Sequence, residues 1–493
     1  MPRQKQSNLG KNIAYMILYH IFNALSPLIV TPYLSRVLGS TEIGKYSYAH
    51  SLAYYFVLVA NLGITIHGSR RIAEAKDNKE LYDKRFSDLF WLHTFNALIV
   101  TIIYVIAVLV GMNKDNAALS FIMIFYVISS VFDVKWLFYG LENFKITVLR
   151  SIIIKIAYII LIFAFVKTRN DIKIYTFIMS FVAYFIAEAS LFVMLPKYGK
   201  IHKPNFSSIK KEILPLFLLF IPSVANVLLR HFDKLMLGWM SSYDQLGMYE
   251  NTDKIFLVLV TLITAVGDVI MPRISNLLAS GATSKSDKLL NNALRISILV
   301  SCAFTFGIMA ISKEFVPLFL GDDFLGCIQL LIWIAPTIIM LTFSALIRKQ
   351  YLIPNYLERV FLTATIFSLF INIIANAVFI PKYGALGAVF GTIIAEMSVV
   401  VIQFIMIHKI FNYMPFILDL IKYCMIGIVM FTGIRLTSNI NVGYFVKLLV
   451  EIVVGAFIYI TVSYCVMKFT HDELFDVIKK LSQKIKLEEK RND

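Results

Sequence analysis

The sequence has little charge and too little polar material to cover a soluble surface. Of its 493 residues, only 16% are Asp, Glu, Lys or Arg, against about 25% in typical soluble domains. Hydrophobic residues make up 58%. A membrane-spanning helix takes about 20 apolar residues, so this composition excludes a soluble multidomain protein and indicates an all-α polytopic membrane protein.

Cysteine and recognisable site motifs are equally sparse. The four cysteines, Cys302, Cys327, Cys424 and Cys465, form no CxxC pair, and we interpret them as small hydrophobic residues. No GxxxxGK[ST] phosphate loop occurs. The sequence therefore predicts no metal and no cofactor, and an energy source other than a bound nucleotide. The net charge of +16 would suggest nucleic acid in a soluble chain, but here it is typical of cytoplasmic loops facing anionic lipid.

Apolar runs near spanning length predict about fourteen transmembrane helices. They divide into an N-terminal six-helix lobe at 1–205, a C-terminal six-helix lobe at 206–412, two additional helices at 413–467 and a charged cytoplasmic tail at 468–493. The predicted spans are 13–34, 46–66, 88–110, 117–139, 147–166, 174–195, 213–238, 247–271, 291–311, 325–347, 360–380, 384–407, 416–436 and 443–467.

The distribution of Lys and Arg predicts the orientation of these spans. With the N-terminus in the cytoplasm, the cytoplasmic segments carry 33 of the 47 basic residues and the outer segments carry 10. Positive residues concentrate on the cytoplasmic side of membrane proteins. The even number of spans then places both termini inside.

Two short matches indicate an internal repeat with a period of about 200 residues. Ile43-Gly44-Lys45-Tyr46 resembles Leu246-Gly247-Met248-Tyr249, and Ile186-Ala187-Glu188 is repeated at Ile394-Ala395-Glu396. Because each half has an even number of spans, both insert in the same direction. The halves are then parallel repeats, an arrangement found in transporters.

Charged residues within the predicted spans are costly and therefore candidates for function. Arg230 and Lys234 lie four residues apart in the seventh span, on one helical face. We interpret them as cations of an outer vestibule. Asp233, and Asp253 and Lys254 in the eighth span, are either partners in that vestibule or interhelical ion pairs that hold a hairpin.

A second set of charges lies deeper in the predicted spans. Lys155 and Glu188 fall at similar depth on adjacent antiparallel helices, which predicts an ion pair that is structural or that a substrate anion or coupling cation displaces. Glu396 has no lysine at matching depth in its neighbouring spans. It is predicted to be protonated, bonded to a hydroxyl or a cation site.

Several motifs resemble bacterial polysaccharide repeat-unit flippases, the Wzx-type O-antigen and capsule exporters of the multidrug/oligosaccharidyl-lipid/polysaccharide superfamily. The resemblance covers essentially the whole chain. It is carried by the segments Thr31-Pro32-Tyr33-Leu34-Ser35-Arg36-Val37-Leu38-Gly39, Asn61-Leu62-Gly63-Ile64, Gly68-Ser69-Arg70-Arg71, Asp233-Lys234, Gly247-Met248-Tyr249 and Pro381-Lys382-Tyr383-Gly384-Ala385-Leu386-Gly387-Ala388.

The resemblance implies two six-helix lobes around a central cavity and a substrate of undecaprenyl pyrophosphate carrying a short oligosaccharide. It implies transfer from the inner to the outer leaflet of the bacterial cytoplasmic membrane by alternating access. A cationic cavity would suit Arg36, Arg70, Arg230 and Lys234 as substrate-binding residues. A polysaccharide polymerase and chain-length machinery are implied as partners, with membrane lipid and without nucleic acid.

Three other functions fit parts of the pattern. A cation-coupled drug exporter of the same superfamily would be expected to have a cavity lined by carboxylates, and drug efflux from cells would reveal it. A membrane polymerase or acyltransferase would be expected to carry large external loops or a clustered His/Asp motif, and the sequence has neither. Intramembrane Arg and Lys disfavour a lipid scramblase or a purely structural role.

Overall fold

The structure is a computed structural model that describes residues 9–437, 443–472 and 474–475. The predicted basic N-terminus and most of the predicted charged tail lie outside these residues. The chain forms two compact units, Met1–Glu250 and Asn251–Asp493. The division into lobes at residues 205 and 412 stays a prediction.

The N-terminal unit is built from long apolar helices joined by short connections. Short 3-10 turns and a π-helical segment, Ile178–Ile186, complete it. Its helices are α1 (Leu9–Asn61), α2 (Ile64–Ala75), α3 (Lys79–Val110), α4 (Ala117–Ile122), α5 (Ile124–Ser129), α6 (Lys135–Gly140), α7 (Phe144–Phe165), α8 (Ile172–Phe177), α9 (Ala187–Phe192), α10 (Phe206–Met240) and the first turns of α11 (Tyr243–Ala279).

The C-terminal unit contains the remainder of α11 and seven further helices. A second π-helical segment, Arg348–Leu352, follows α14. The helices are α12 (Thr283–Phe319), α13 (Cys327–Ile334), α14 (Thr337–Ile347), α15 (Glu358–Tyr383), α16 (Ala385–Ile407), α17 (Met414–Thr437) and α18 (Tyr444–Phe469). Within the described residues no β-strand occurs, so the prediction of an all-α polytopic membrane protein is confirmed.

Helical segments lie in every predicted span, but they do not form fourteen separate continuous helices. Ten described helical stretches are long and apolar enough to cross a membrane, or eleven if α13 and α14 form one bent span. The predicted first span and most of the predicted second span lie in α1, which is interrupted at Gly39, where φ is 76° and ψ is 173°. The last residues of the second span fall in the break after Asn61 and in the start of α2. The predicted seventh and eighth spans lie in α10 and α11.

Apolar side chains are found both inside the units and on their outer faces. In the N-terminal unit, Phe86, Trp136 and Phe138 pack in a fully buried aromatic core. On α3 the opposite face is exposed and almost entirely aliphatic, with Ile102 and Leu109 more than half exposed. An exposed apolar face of this kind suits hydrocarbon rather than water as its surroundings.

Two glycines of the predicted repeat bring helix backbones into direct contact inside the N-terminal unit. A Cβ on Gly44 would collide with the Tyr243 carbonyl, and one on Gly247 would collide with the Ser40 carbonyl. Glycine is needed at both positions because only it permits this approach. The contact holds the start of α11 against α1.

Candidate functional site

A cavity of about 300 Å³ lies within the N-terminal unit. Helices α6, α7 and α9 and the π-helical segment supply its walls. It is lined by Lys135, Tyr139, Thr147, Val148, Arg150, Ser151, Ile154, Lys155, Tyr158, Met179, Ala183, Tyr184, Ala187 and Glu188. We call the charged members Lys135, Arg150, Lys155 and Glu188 the cavity cluster. It contains three cations and one carboxylate.

The π-helical segment positions one wall of this cavity. Met179, Ala183 and Tyr184 lie within it, and Glu188 follows in the first turn of α9. Wider π turns change which side chains share a helix face, and they occur frequently at functional sites. The Tyr184 hydroxyl is fixed by His50 Nε2 at 3.0 Å.

Lys135 occupies the centre of the cavity's charges. Its ammonium lies 3.0 Å from Glu188 Oε1 and 3.1 Å from Asp133 Oδ2. Asp133 is buried, whereas the Lys135 side chain is 30% exposed. The lysine therefore joins α6 to α9 and still presents part of its charge to the open space.

Arg150 and Glu188 are incompletely paired. Arg150 donates through Nη1 to the Ala187 carbonyl and through Nη2 to Ser151 Oγ at 3.4 Å. Its buried Nε has no hydrogen-bond partner among the described residues, and neither has the buried Glu188 Oε2. Because unsatisfied buried polar atoms are costly and uncommon, these atoms indicate a site that a ligand or water completes.

The predicted ion pair between Lys155 and Glu188 is wrong, because Glu188 pairs with a different lysine. Lys135 takes that place, and the Lys155 ammonium instead donates to Ser26 Oγ at 3.3 Å. Both predicted residues nevertheless line the same cavity. Lys135 lies directly beside α9 and satisfies one Glu188 oxygen, and Lys155 has a hydroxyl partner instead. The equal depth of Lys155 and Glu188 stays a prediction.

The charges of α10 form a separate group inside the N-terminal unit. Lys234 is buried and lies 2.8 Å from Glu250 Oε2, which also accepts from Ser47 at 2.9 Å. Asp233 is buried and accepts from the Tyr249 hydroxyl. Arg230, one turn away, is half-buried. The contacts of Asp233 and Lys234 support the alternative in which ion pairs hold the hairpin of α10 and α11.

The structure does not bring Arg36 and Arg70 to the cavity. Arg36 is exposed and donates to the Pro32 carbonyl of its own helix at 2.9 Å. Arg70 is 76% exposed and lies 3.2 Å from Glu74, one turn along α2. Exposed pairs of this type contribute little to stability or to a charged cavity.

The other predicted charges lie in the C-terminal unit. Asp253 is buried and Lys254 is half-buried on α11, and Glu396 is buried on α16. None of the three lines the cavity of the N-terminal unit. The roles of Asp253, Lys254 and Glu396 in ion coupling or in charge pairs, for which the sequence makes them candidates, stay predictions.

Four charged residues of the C-terminal unit form a fully paired cluster that the sequence did not reveal. Arg295 contacts Asp419 at 2.5 Å and Asp472 at 2.8 Å. Lys422 contacts the same carboxylates at 2.7 and 2.5 Å. We call these residues the paired cluster. Burial alone would raise the pKa of Asp472, but hydrogen bonds from Lys422 and the Leu474 amide, with the Arg295 charge, hold that pKa below its usual range.

Lys135 and Arg150 are the cavity residues that sequence reasoning missed. The Lys and Arg count assigns both to a cytoplasmic segment, although Lys135 lies just inside the end of the predicted span 117–139 and Arg150 just inside the start of the predicted span 147–166. The signal that could have identified Lys135 is its position inside the segment Asp133-Val134-Lys135, which continues into the apolar residues Trp136 to Phe138. Arg150 follows the first turns of α7, and no local pattern distinguishes it.

Sequence comparison identifies relatives of this chain. Residues 9–278 match the family model described as polysaccharide biosynthesis protein. A protein of Escherichia coli (strain K12) named as an O-antigen transporter is 25% identical over 361 residues, covering 72% of this chain and 86% of the relative. A Haloferax volcanii protein named as a low-salt glycan biosynthesis flippase is 20% identical over 265 residues, covering 53% of this chain and 55% of the relative.

Structural comparison agrees on the fold. The solved structure of the lipid II flippase MurJ in an inward closed conformation aligns with a TM-score of 0.76 and 19% identity, covering 93% of this chain and 99% of that one. An inward-facing multidrug transporter of the MATE family aligns with a TM-score of 0.59 and 13% identity, covering 78% of this chain and 96% of that one. Since the family model matches more than half of the sequence, this chain belongs to the polysaccharide biosynthesis protein family. The relatives are named as a transporter and a flippase, and the resemblance stated from the sequence motifs is confirmed.

Proposed function

We propose that this chain is a flippase that transfers an oligosaccharide linked to undecaprenyl pyrophosphate from the inner to the outer leaflet of a bacterial cytoplasmic membrane. Relatives named as O-antigen transporters in Escherichia coli and Shigella dysenteriae support this substrate class. The mechanism is alternating access, with both termini in the cytoplasm. A polysaccharide polymerase and chain-length machinery act on the product.

The cavity cluster is the observation that carries this proposal. A pyrophosphate cannot enter hydrocarbon without compensation for its charge. The cavity offers three cations, and one guanidinium N–H among them has no hydrogen-bond partner in the described part of the chain. The cluster is therefore suited to an anionic group, whereas a cationic drug would be repelled.

The three cations have different roles in this proposal. Arg150 presents a planar fork of donors that suits phosphate oxygens, and Lys155 contributes a mobile point charge. Lys135 is already held by Glu188 and Asp133. A bound phosphate competes with Glu188 for Lys135, so substrate entry loosens the contact between α6 and α9.

Leaflet transfer in vesicles tests the proposal. The purified protein is reconstituted with a fluorescent polyprenyl pyrophosphate glycan, and transfer is followed by quenching of the outer leaflet. Loss of a charge-assisted hydrogen bond costs about 1.5–3 kcal/mol, so Lys155→Met should slow transfer roughly tenfold or more. Arg150→Lys should retain part of the transfer rate, because lysine keeps the positive charge but lacks the two parallel N–H donors of the guanidinium group.

Lys145→Met is the matched control, since Lys145 is an exposed lysine on the same helix α7. It should transfer at the wild-type rate. Wild-type rates in Lys155→Met and Arg150→Ala, at equal protein content, would contradict the assignment of the cavity. Failure of the wild-type protein to move the glycan probe, combined with export of a cationic drug, would favour the drug-exporter alternative.

A further inference from the structure

A third group of charges lies where α12, α17 and α18 meet in the C-terminal unit. Glu314 is near the end of α12, Arg435 is in the last turn of α17, and Lys447 and Glu451 are in the first turns of α18. The topology predicted from the Lys and Arg count places these helix ends toward the outer surface. The group is separate from the cavity cluster and from the paired cluster.

Both cations of this group lie against the same carboxylate. Lys447 Nζ is 3.0 Å from Glu314 Oε1, and Arg435 Nη1 is 3.9 Å from Glu314 Oε2. The Glu314 side chain is 1% exposed. Glu314 Oε1 is therefore paired with Lys447, whereas the buried Oε2 has no hydrogen-bond partner among the described residues and faces only the more distant Arg435 charge.

Glu451 is in the opposite situation. It is fully buried, and neither of its carboxylate oxygens accepts a hydrogen bond from a donor within the described residues. Its side-chain neighbour is the Glu314 carboxyl group, to which only a protonated Glu451 could donate. The charged groups that act on it are Glu314, Lys447 and Arg435, and two of these are already engaged with Glu314. An ionised carboxylate in such surroundings loses its hydration without gaining a donor. The nearby negative charge of Glu314 adds to that cost.

We propose that Glu451 is a proton-binding site, exchanging its proton with the outer aqueous phase at the junction of α12, α17 and α18. The neutral acid fits the closed junction, because it removes the uncompensated charge. When the junction opens, the carboxylate gains water and the Arg435 and Lys447 side chains as partners, and the proton leaves to water. Proton binding at Glu451 therefore favours the closed junction.

Infrared spectroscopy of the reconstituted protein tests the protonation directly and does not depend on the proposed transport activity. Wild type should show the C=O band of a buried carboxylic acid, and Glu451→Gln should lose the intensity of one such group. Glu358→Gln is the control, because Glu358 is exposed at the start of α15. The control should keep the band.

A second variant keeps Glu451 in place and changes its surroundings. Glu314→Gln removes the competing carboxylate and leaves Lys447 and Arg435 to Glu451, so the band should lose the intensity of one carboxylic acid although Glu451 is present. A carboxylic band of full intensity in Glu451→Gln would overturn the proposal. A carboxylic band of full intensity in Glu314→Gln would overturn the proposal as well.

The consequence for transport rests on the proposed function and is measured separately. In vesicles with an acidic exterior, Glu451→Gln should lose the dependence of leaflet transfer on external pH, while Glu358→Gln keeps it. An unchanged pH profile in Glu451→Gln would reject the coupling of protonation to transfer. Absence of transfer in every protein, wild type included, would instead count against the proposed function.

Discussion

The paired cluster of the C-terminal unit and the cavity cluster of the N-terminal unit contain similar residues in different states of pairing. In the paired cluster, both carboxylates receive contacts from both cations at 2.5 to 2.8 Å. The side chains involved are at most 20% exposed. These charges are fully used in holding α12, α17 and the segment after α18.

The cavity cluster leaves part of its bonding capacity unused. Arg150 Nε and Glu188 Oε2 have no partner in the part of the chain that the structure describes, and about 300 Å³ of open space lies beside them. Complete pairing without a cavity indicates a structural role. Incomplete pairing around a cavity indicates a binding role, because a ligand can supply the missing contacts.

The largest effect is expected when the paired cluster loses a member. Asp419→Ala leaves Arg295 and Lys422 with a single carboxylate between them. Removing one partner from a buried ion pair costs about 3–5 kcal/mol, so thermal unfolding in detergent should shift to clearly lower temperature. Asp287→Ala, at an exposed position on α12, is the control and should unfold like wild type. Equal thermal midpoints in Asp419→Ala and Asp287→Ala would contradict a structural role for the paired cluster.

A double-mutant cycle should show a smaller effect in the cavity cluster. Combining Lys135→Met with Glu188→Gln should give a coupling of about 0.5–3 kcal/mol in the free energy of unfolding, as expected for residues in direct contact. Repeating the cycle with Lys155→Met should give additive changes, because Lys155 contacts Ser26 instead. A strong coupling of Lys155 to Glu188 would restore the pairing expected from sequence.

Acid should weaken the paired cluster through Asp472. The pKa of Asp472 is lowered in the folded protein. Its contribution to the free energy of unfolding is therefore complete above the pKa of the carboxyl group in the unfolded chain, about 3.9. This contribution to stability is then lost as the pH falls through the lower pKa that Asp472 has in the folded protein. The wild-type thermal midpoint should therefore fall more steeply than that of Asp472→Asn below about pH 4. Parallel curves would show that Asp472 does not contribute through its charge.

The smallest effect is expected at Arg70. Its pair with Glu74 is exposed, and exposed pairs are worth about 0–1 kcal/mol. Arg70→Ala should leave stability and leaflet transfer close to wild type. Loss of transfer with normal stability would return Arg70 to the substrate-binding residues predicted from sequence, and would place a binding role outside the cavity cluster.

Composition was sufficient to predict the fold class, because 286 or so apolar residues have no other place than membrane-spanning helices. It could not predict that α1 runs through two spans with a single interruption at Gly39. Glycine at that position permits a positive φ, and the connection therefore needs no polar loop that a hydropathy reading would detect.

The candidate site was less predictable than the fold. Periodicity placed Lys155 and Glu188 at one depth, which the cavity agrees with, but it assumed regular α-helices. The segment Ile178–Ile186 has π geometry, so residues beyond it do not follow the expected angular positions. Lys135 begins α6 and Arg150 lies in the second turn of α7. A count of loop charges cannot distinguish a solvated cation at such positions from one whose side chain enters a cavity.

The contact between α1 and α11 also bears on how this chain can have originated. Gly44 faces Tyr243, which is four positions before Gly247, and Gly247 faces Ser40, which is four positions before Gly44. Such reciprocity is the signature of an isologous interface, in which one surface patch meets its own copy across a two-fold axis. At this point the two segments of the predicted repeat contact each other as two identical subunits would. An ancestral half-length chain carrying a single glycine motif could therefore have formed the same contact by dimerising with itself.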